Sequence, residues 1–208
     1  DDIPYEVATF RKEGGYHDGR RPSWVESAGP EEDAKRRDFT INGLFYDPLA
    51  GKIIDYVGGE KDLTAKTLRA IGDPEERFEE DKLRLLRGVR FSSTLGFEVE
   101  ARTWESVKKH HASITAVSPE RIRDELIKIF TRPHAGRGLE LLSESGLLKV
   151  ILPEVEAMKG CEQQPDYHPE GDVFVHTKLL LDKLEHPSVA LAFGALLHDV
   201  GKPRTFTN

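Results

Sequence analysis

Among 208 residues there is one cysteine, one methionine and two tryptophans. Cys161 alone cannot build a disulfide framework, which points to a reducing compartment such as the cytoplasm, and a small buried apolar residue is its ordinary role. Long apolar runs are missing as well, so no segment reads as a membrane span. The opening Asp1-Asp2-Ile3-Pro4 has neither the basic start nor the apolar core of a signal peptide. Excess positive charge is lacking too: the formal net charge is −7, which argues against indiscriminate nucleic-acid binding.

What is present is charge in bulk. Charged residues make up 32% of the chain and hydrophobic ones 38%, the balance of a surface-rich, mostly helical protein with room for one large domain or two small ones. The charge is unevenly spread. Residues 81–110 hold seven Lys/Arg against four Asp/Glu, so a basic face can exist on an acidic protein, and a nucleic-acid contact there would be salt-sensitive.

The most informative stretch runs from Phe78 to Phe91. Leu83, Leu86 and Val89 recur at helical spacing with Leu85 beside them, which predicts one helix with a core-facing side. On that helix Asp81, Arg84 and Arg87 would share an edge, with Glu80 beside Arg84. A carboxylate next to a guanidinium matches a nucleobase edge: one accepts from an exocyclic amine, the other donates to ring nitrogens and carbonyls. The competing reading is a solvated face with weak ion pairs.

Upstream, Tyr5–Arg11 is β-rich and predicts a strand, and Lys12 to Asp33 reads as a long functional loop. Two β-rich runs, Ala34–Tyr46 and Lys52–Val57, flank a turn containing Pro48 and Gly51, predicting a hairpin. At its mouth Arg36, Arg37 and Asp38 suit a phosphate and a ribose hydroxyl, or else form a structural ion pair. Gly58-Gly59 permits a sharp bend or close approach. Downstream, Asp73-Pro74 and Ser118-Pro119 are helix starts and Gly96 a helix stop. Further helices are expected around Ala101–His110, Ala135–Glu144 and Leu147–Ala157. The spacing on the Ser118 helix leaves Arg121, Glu125 and Lys128 to solvent. The composition changes at Cys161–Gly171, which suggests a boundary. Beyond it, His176 and the adjacent His198-Asp199 are spaced so that two helices could ligate a divalent metal, with ordinary helix-end hydrogen bonds as the alternative.

Taken together, Tyr5-Glu6-Val7-Ala8-Thr9-Phe10-Arg11, Arg36-Arg37-Asp38-Phe39-Thr40-Ile41-Asn42, Asp55-Tyr56-Val57-Gly58-Gly59, Glu80-Asp81-Lys82-Leu83-Arg84 and Ser118-Pro119-Glu120-Arg121-Ile122 resemble the bacterial class II tRNA nucleotidyltransferase and poly(A) polymerase family. Val175-His176-Thr177 with Leu196-Leu197-His198-Asp199-Val200-Gly201-Lys202-Pro203 resembles the HD-type domain of many members. The resemblance implies an α+β, mostly α fold: the remainder of a polymerase-beta-like head over residues 1–63, a helical neck and body over 64–160, and the start of an HD-type domain over 161–208. It implies transfer of C or A from CTP or ATP to the 3′ end of tRNA or another RNA, with no membrane and no obligate protein partner. A poly(A) polymerase and a metal-dependent HD phosphohydrolase are the alternatives.

By the same resemblance Asp81 and Arg84 read the base. Arg36, Arg37, Asp38 and Asn42 belong to the motif that meets triphosphate and ribose, and Arg87 and Arg121 are supporting arginines. Asp55, Gly58 and Gly59 form a hinge, and His176, His198 and Asp199 form a possible divalent-metal site. Magnesium is implied at an Asp-x-Asp pair expected upstream of Tyr5, with Glu6 a candidate third carboxylate.

Overall fold

The computed structural model describes residues 7–15, 22–162 and 171–205. Two compact units divide the chain, Asp1–Asp81 and Lys82–Asn208. Among the described residues no helix is long and apolar enough to cross a membrane.

The first unit begins with an antiparallel pair, β1 (Arg11–Gly14) and β2 (Trp24–Ser27), in the register Arg11 to Ser27. The strand expected over Tyr5–Arg11 is therefore displaced: its described residues Val7–Phe10 are exposed and unpaired in sheet, and pairing starts at Arg11. The long loop expected from Lys12 to Asp33 is thus in part strand, since Trp24 and Val25 supply a β-forming partner, and its residues 16–21 lie outside the described residues. Its last residues open α1 (Pro30–Lys35), whose start is built by Pro30 at the first position and by the Glu32 carboxylate, which accepts from the Gly29 N–H at 3.1 Å.

The expected hairpin is present but narrower, as β3 (Leu44–Asp47) and β4 (Lys52–Asp55), with Leu44 opposite Asp55. Ala34 and Lys35 belong to α1, and Thr40–Asn42 forms a single 3-10 turn. Phe39 is fully buried and bridges to Ala70, flanked by Thr40 N–H to Arg69 O at 2.9 Å and Ile71 N–H to Asp38 O at 3.0 Å. These bonds tie the Arg36–Asp38 segment to the core of Phe39, Leu68, Ala70 and Phe78. The short elements α2 (Gly59–Thr64) and β5 (Thr67–Leu68) lead to α3 (Pro74–Glu80), capped by the Asp73 carboxylate on the Glu75 N–H at 3.0 Å.

The single helix expected through Phe78–Phe91 is broken. After α3, Asp81 has extended backbone (φ −144°, ψ 105°), and α4 (Leu83–Leu95) begins two residues later. Glu79, Glu80 and Asp81 place three successive carboxylates at the negative end of a helix dipole, which disfavours continuing the helix. Asp81 and Arg84 therefore do not share a helical edge.

The second unit is helical. It comprises α4, β6 (Glu98–Val99), α5 (Ala101–His110), α6 (Pro119–Phe130), α7 (Ala135–Glu144), α8 (Leu147–Ile151), α9 (Pro153–Glu156), α10 (Val173–Asp182), α11 (Val189–Leu197) and α12 (Lys202–Thr205). Gly96 ends α4 in left-handed conformation (φ 65°), as its position predicts. Pro153 splits the expected Leu147–Ala157 helix into α8 and α9. Helix α4 packs on α6 and α7, α7 on α10, and α10 on α11. Leu85, Leu86, Val89, Ile129, Phe130, Leu139 and Leu142 fill the centre.

Candidate functional site

In the first unit, one buried carboxylate organises both arginines of the predicted phosphate-facing motif. Asp33 Oδ1 accepts from Arg36 Nη2 at 2.6 Å and Nε at 2.9 Å. Its Oδ2 accepts from Arg37 Nη2 at 3.0 Å and Nε at 3.1 Å. Arg36 also reaches the Glu13 carboxylate and the Arg11 carbonyl, and Arg37 reaches the Asn42 carbonyl at 2.8 Å while its guanidinium lies 4.8 Å from the Phe45 ring centre. Burial alone would raise the Asp33 carboxyl, but Arg36, Arg37 and the Arg11 N–H outweigh it and hold the pKa below the usual value.

Asp33 was missed as a site residue although its signal was in the sequence: it stands three and four positions before Arg36 and Arg37, which follow directly on α1, a spacing at which side chains on a helical turn meet. Asp38 is buried, and its Oδ1 accepts from Asn42 Nδ2 at 2.9 Å and from the Phe39 N–H at 2.8 Å. Asn42 thus orients Asp38.

The predicted hinge residues form a compact cap. Asp55 Oδ1 accepts from the N–H groups of Val57, Gly58 and Gly59, and Oδ2 from that of Glu60, all at 2.8–3.0 Å. Burial works to raise this carboxyl, and the four backbone donors more than offset it, so its pKa is lowered. Gly58 has φ 81°, a left-handed value that glycine adopts without penalty. Gly59 is buried, and a Cβ there would stand 2.3 Å from the Thr40 carbonyl oxygen.

In the second unit, Arg84 is buried on α4 (8% exposed) and Arg87 is half-buried. Arg90 stacks 3.9 Å from the centre of the Phe91 ring, and Arg87 lies 5.3 Å from it. Glu125, expected in solvent, is instead buried, accepting from Arg90 Nε at 2.6 Å and from Lys128 Nζ at 2.9 Å. Helix α4 packs against this side of α6 and presents the Arg90 guanidinium to the carboxylate. Arg121 sits half-buried in the first turn of α6.

The predicted metal ligands come together. Ligand atoms of His176 on α10, and of His198 and Asp199 after α11, all lie within 4.8 Å of one another. His198 Nδ1 is 2.8 Å from the Ala195 carbonyl, which only accepts, so this nitrogen donates, and Nε2 lies 3.1 Å from Asp199 Oδ2. Lys202 Nζ also donates to Asp199 Oδ2 at 2.8 Å. Glu6, the candidate third carboxylate, lies outside the described residues.

Residues 1–69 match the model of the poly A polymerase head domain, and residues 96–159 that of the probable RNA and SrmB-binding site of polymerase A. A CCA-adding enzyme of Bacillus cytotoxicus is 38% identical over 197 residues, 92% of this chain and 49% of that protein. The solved Bacillus stearothermophilus CCA-adding enzyme in complex with CTP is similar with a TM-score of 0.67 and 30% identity, over 98% of this chain and 54% of that one. A tRNA nucleotidyltransferase complexed with a primer tRNA and an incoming ATP analog follows, with a TM-score of 0.56 and 26% identity over 78% and 52% of the two chains. The chain spans half or less of the length of the curated relatives it matches.

Proposed function

The chain belongs to the class II family of CCA-adding tRNA nucleotidyltransferases and poly(A) polymerases, and from that premise we propose that it is the part of such an enzyme that selects CTP and ATP and presents them to the 3′ end of tRNA. The observation that carries this reading is the Asp33 clamp. Two guanidiniums fixed by one buried carboxylate beside the oriented Asp38 form a ready mount for a triphosphate and ribose. Electrostatic holding of phosphates is most of what phosphoryl transfer asks of a protein.

In this reading the 3′-hydroxyl of the RNA attacks the α-phosphate in line; the new P–O bond forms as the α–β phosphoanhydride breaks and pyrophosphate leaves. Arg36 and Arg37 hold the leaving phosphates and Asp38 accepts from the ribose 2′-hydroxyl. Asp81 accepts from the exocyclic amine of cytosine or adenine, and Arg84 donates to the neighbouring ring nitrogen or carbonyl, so that side chains replace a template strand. Arg87 and Arg121 support that reading, while the Asp55 cap with Gly58 and Gly59 serves as hinge.

Magnesium, which the family implies, supplies charge neutralisation when bound. Among the described residues of the first unit no three such ligands converge, and the carboxylate pair that would hold it is expected upstream of Tyr5. In the second unit, the His198, Asp199 and His176 side chains converge, a donor set that suits a divalent metal of the HD type. The single cysteine agrees with a cytoplasmic setting.

Replacing Asp81 and Arg84 with alanine, singly and together, should reduce discrimination of CTP and ATP against UTP and GTP by roughly tenfold or more per contact, measured at a temperature where a thermal melt shows each variant folded. Unchanged nucleotide preference would overturn the assignment.

A further inference from the structure

A further buried carboxylate of the first unit, Asp62, stands on α2 three residues after the hinge glycine Gly59. Its Oδ2 accepts from the Thr40 hydroxyl at 2.7 Å and from Arg69 Nε at 3.0 Å, and its Oδ1 from Arg69 Nη2 at 3.3 Å. Arg69 closes the triangle from the backbone, where its carbonyl accepts from the Thr40 N–H at 2.9 Å. Residues three apart share a face of a helix, and Gly59 meets the same threonine: a Cβ there would stand 2.3 Å from the Thr40 carbonyl oxygen. The hinge helix therefore holds Thr40 at two points.

Thr40 in turn opens the 3-10 turn that ends at Asn42, and Asn42 Nδ2 donates to Asp38 Oδ1 at 2.9 Å. The N–H of Phe39, the residue before Thr40, donates to the same oxygen at 2.8 Å. Both groups that aim Asp38 thus lie on the segment that Asp62 pins. Burying a carboxylate there costs free energy that an apolar residue would not. What the carboxylate adds is direction, because a hydrogen bond sets angle as well as distance. We propose that Asp62 is a positioning residue for sugar recognition: acting through Thr40, it holds Asp38 where that carboxylate meets a ribose 2′-hydroxyl, and so sets the preference for a ribonucleotide over a 2′-deoxyribonucleotide. The proposal rests on the assignment of Asp38 to the ribose. Asp62 itself touches no nucleotide. Its loss should weaken CTP and leave 2′-deoxy-CTP, which has no hydroxyl to offer, nearly as it was.

Calorimetric titration of the chain with each of these two nucleotides is the test. The parent should prefer CTP by about tenfold, the worth of one hydrogen bond to a charged acceptor. Thr40→Val keeps the shape and removes the hydroxyl, and should bring the two affinities together. Thr40→Ser retains the hydroxyl and should keep the preference. Asp62→Ala should lose it, measured at a temperature where a thermal melt shows the variant folded; if it does not fold, the two Thr40 variants decide the matter. Asp38→Ala examines the premise separately. It should abolish the preference, and adding Thr40→Val to it should change the ratio no further, as for two residues acting through one contact. A preference that survives Asp38→Ala, or a parent that binds neither nucleotide or both equally, removes the ribose assignment and the proposal with it. Where Asp38→Ala does abolish the preference, its survival in Thr40→Val, or an equal weakening of both nucleotides, overturns the role of Asp62 alone.

Discussion

Arg90 on α4 donates to Glu125 on α6 at 2.6 Å, and the acceptor is 4% exposed at its side chain. The pair therefore fixes the rotation of the helix from which Arg84 and Arg87 project. Removing one member of a buried pair leaves the other charge desolvated, which costs more than the pair contributes. Glu125→Ala should destabilise the second unit by about 3–5 kcal/mol in urea unfolding. A loss under about 1 kcal/mol, the range of an exposed pair, would show that the clasp is incidental.

Asp33→Asn keeps the size of the clamp and removes its charge. Arg36 and Arg37 should then lose their common anchor, and the KM for CTP and ATP should rise with kcat changed less, because the residue touches the arginines and not the reacting atoms. A fall in kcat alone would argue that Asp33 acts on the chemistry instead.

The pH dependence of stability follows from two carboxylates. Asp33 and Asp55 both have folded pKa values below the unfolded value of about 4. Each therefore contributes stability that is fully present above pH 4 and is lost as the pH falls through the folded value. The midpoint of urea unfolding should be flat in this respect from pH 7 to 5 and drop below pH 4. Asp55→Asn should flatten part of that drop, and an unaltered acid limb would remove Asp55 from the account.

Gly59→Ala tests the hinge segment. Its Cβ would stand 2.3 Å from a backbone oxygen, which cannot swing aside as a side-chain tip would. Overpacking of this kind costs about 1–3 kcal/mol, and here it should also lower activity at temperatures where the fold persists. Gly58→Ala meets no atom within 4 Å but keeps a left-handed φ of 81°, so its penalty should come from backbone strain alone.

Much of this was legible in the chain itself. Asp73-Pro74, Ser118-Pro119 and Gly96 mark helix ends because the chemistry of a helix end is local, and each stands where the structure has it. The break at Asp81 was not legible from apolar spacing: Leu83, Leu86 and Val89 fix the phase of α4 but are silent about where it begins. Glu125 was misread for a related reason. Its spacing on α6 says only that it faces away from Leu126 and Ile129, and the partner that buries it is 35 positions distant in sequence. The candidate metal ligands His176, His198 and Asp199 could be named from the chain, whereas their meeting required the packing of α10 on α11.

Those three ligands permit a last test. Lys202 donates to the same Asp199 oxygen that faces His198 Nε2, so an ammonium and a metal ion would compete for one carboxylate. Calorimetric titration with Mn2+ or Ni2+ should therefore show binding that weakens in His176→Ala and His198→Ala and strengthens in Lys202→Ala, because the competing charge is gone. If Lys202→Ala instead loses the metal, the lysine orients Asp199 rather than opposing the ion. If the parent chain takes up no metal, the His198–Asp199 contact is a proton-bridged hydrogen bond that holds the end of α11, and the resemblance to an HD-type centre stops at the arrangement of its side chains.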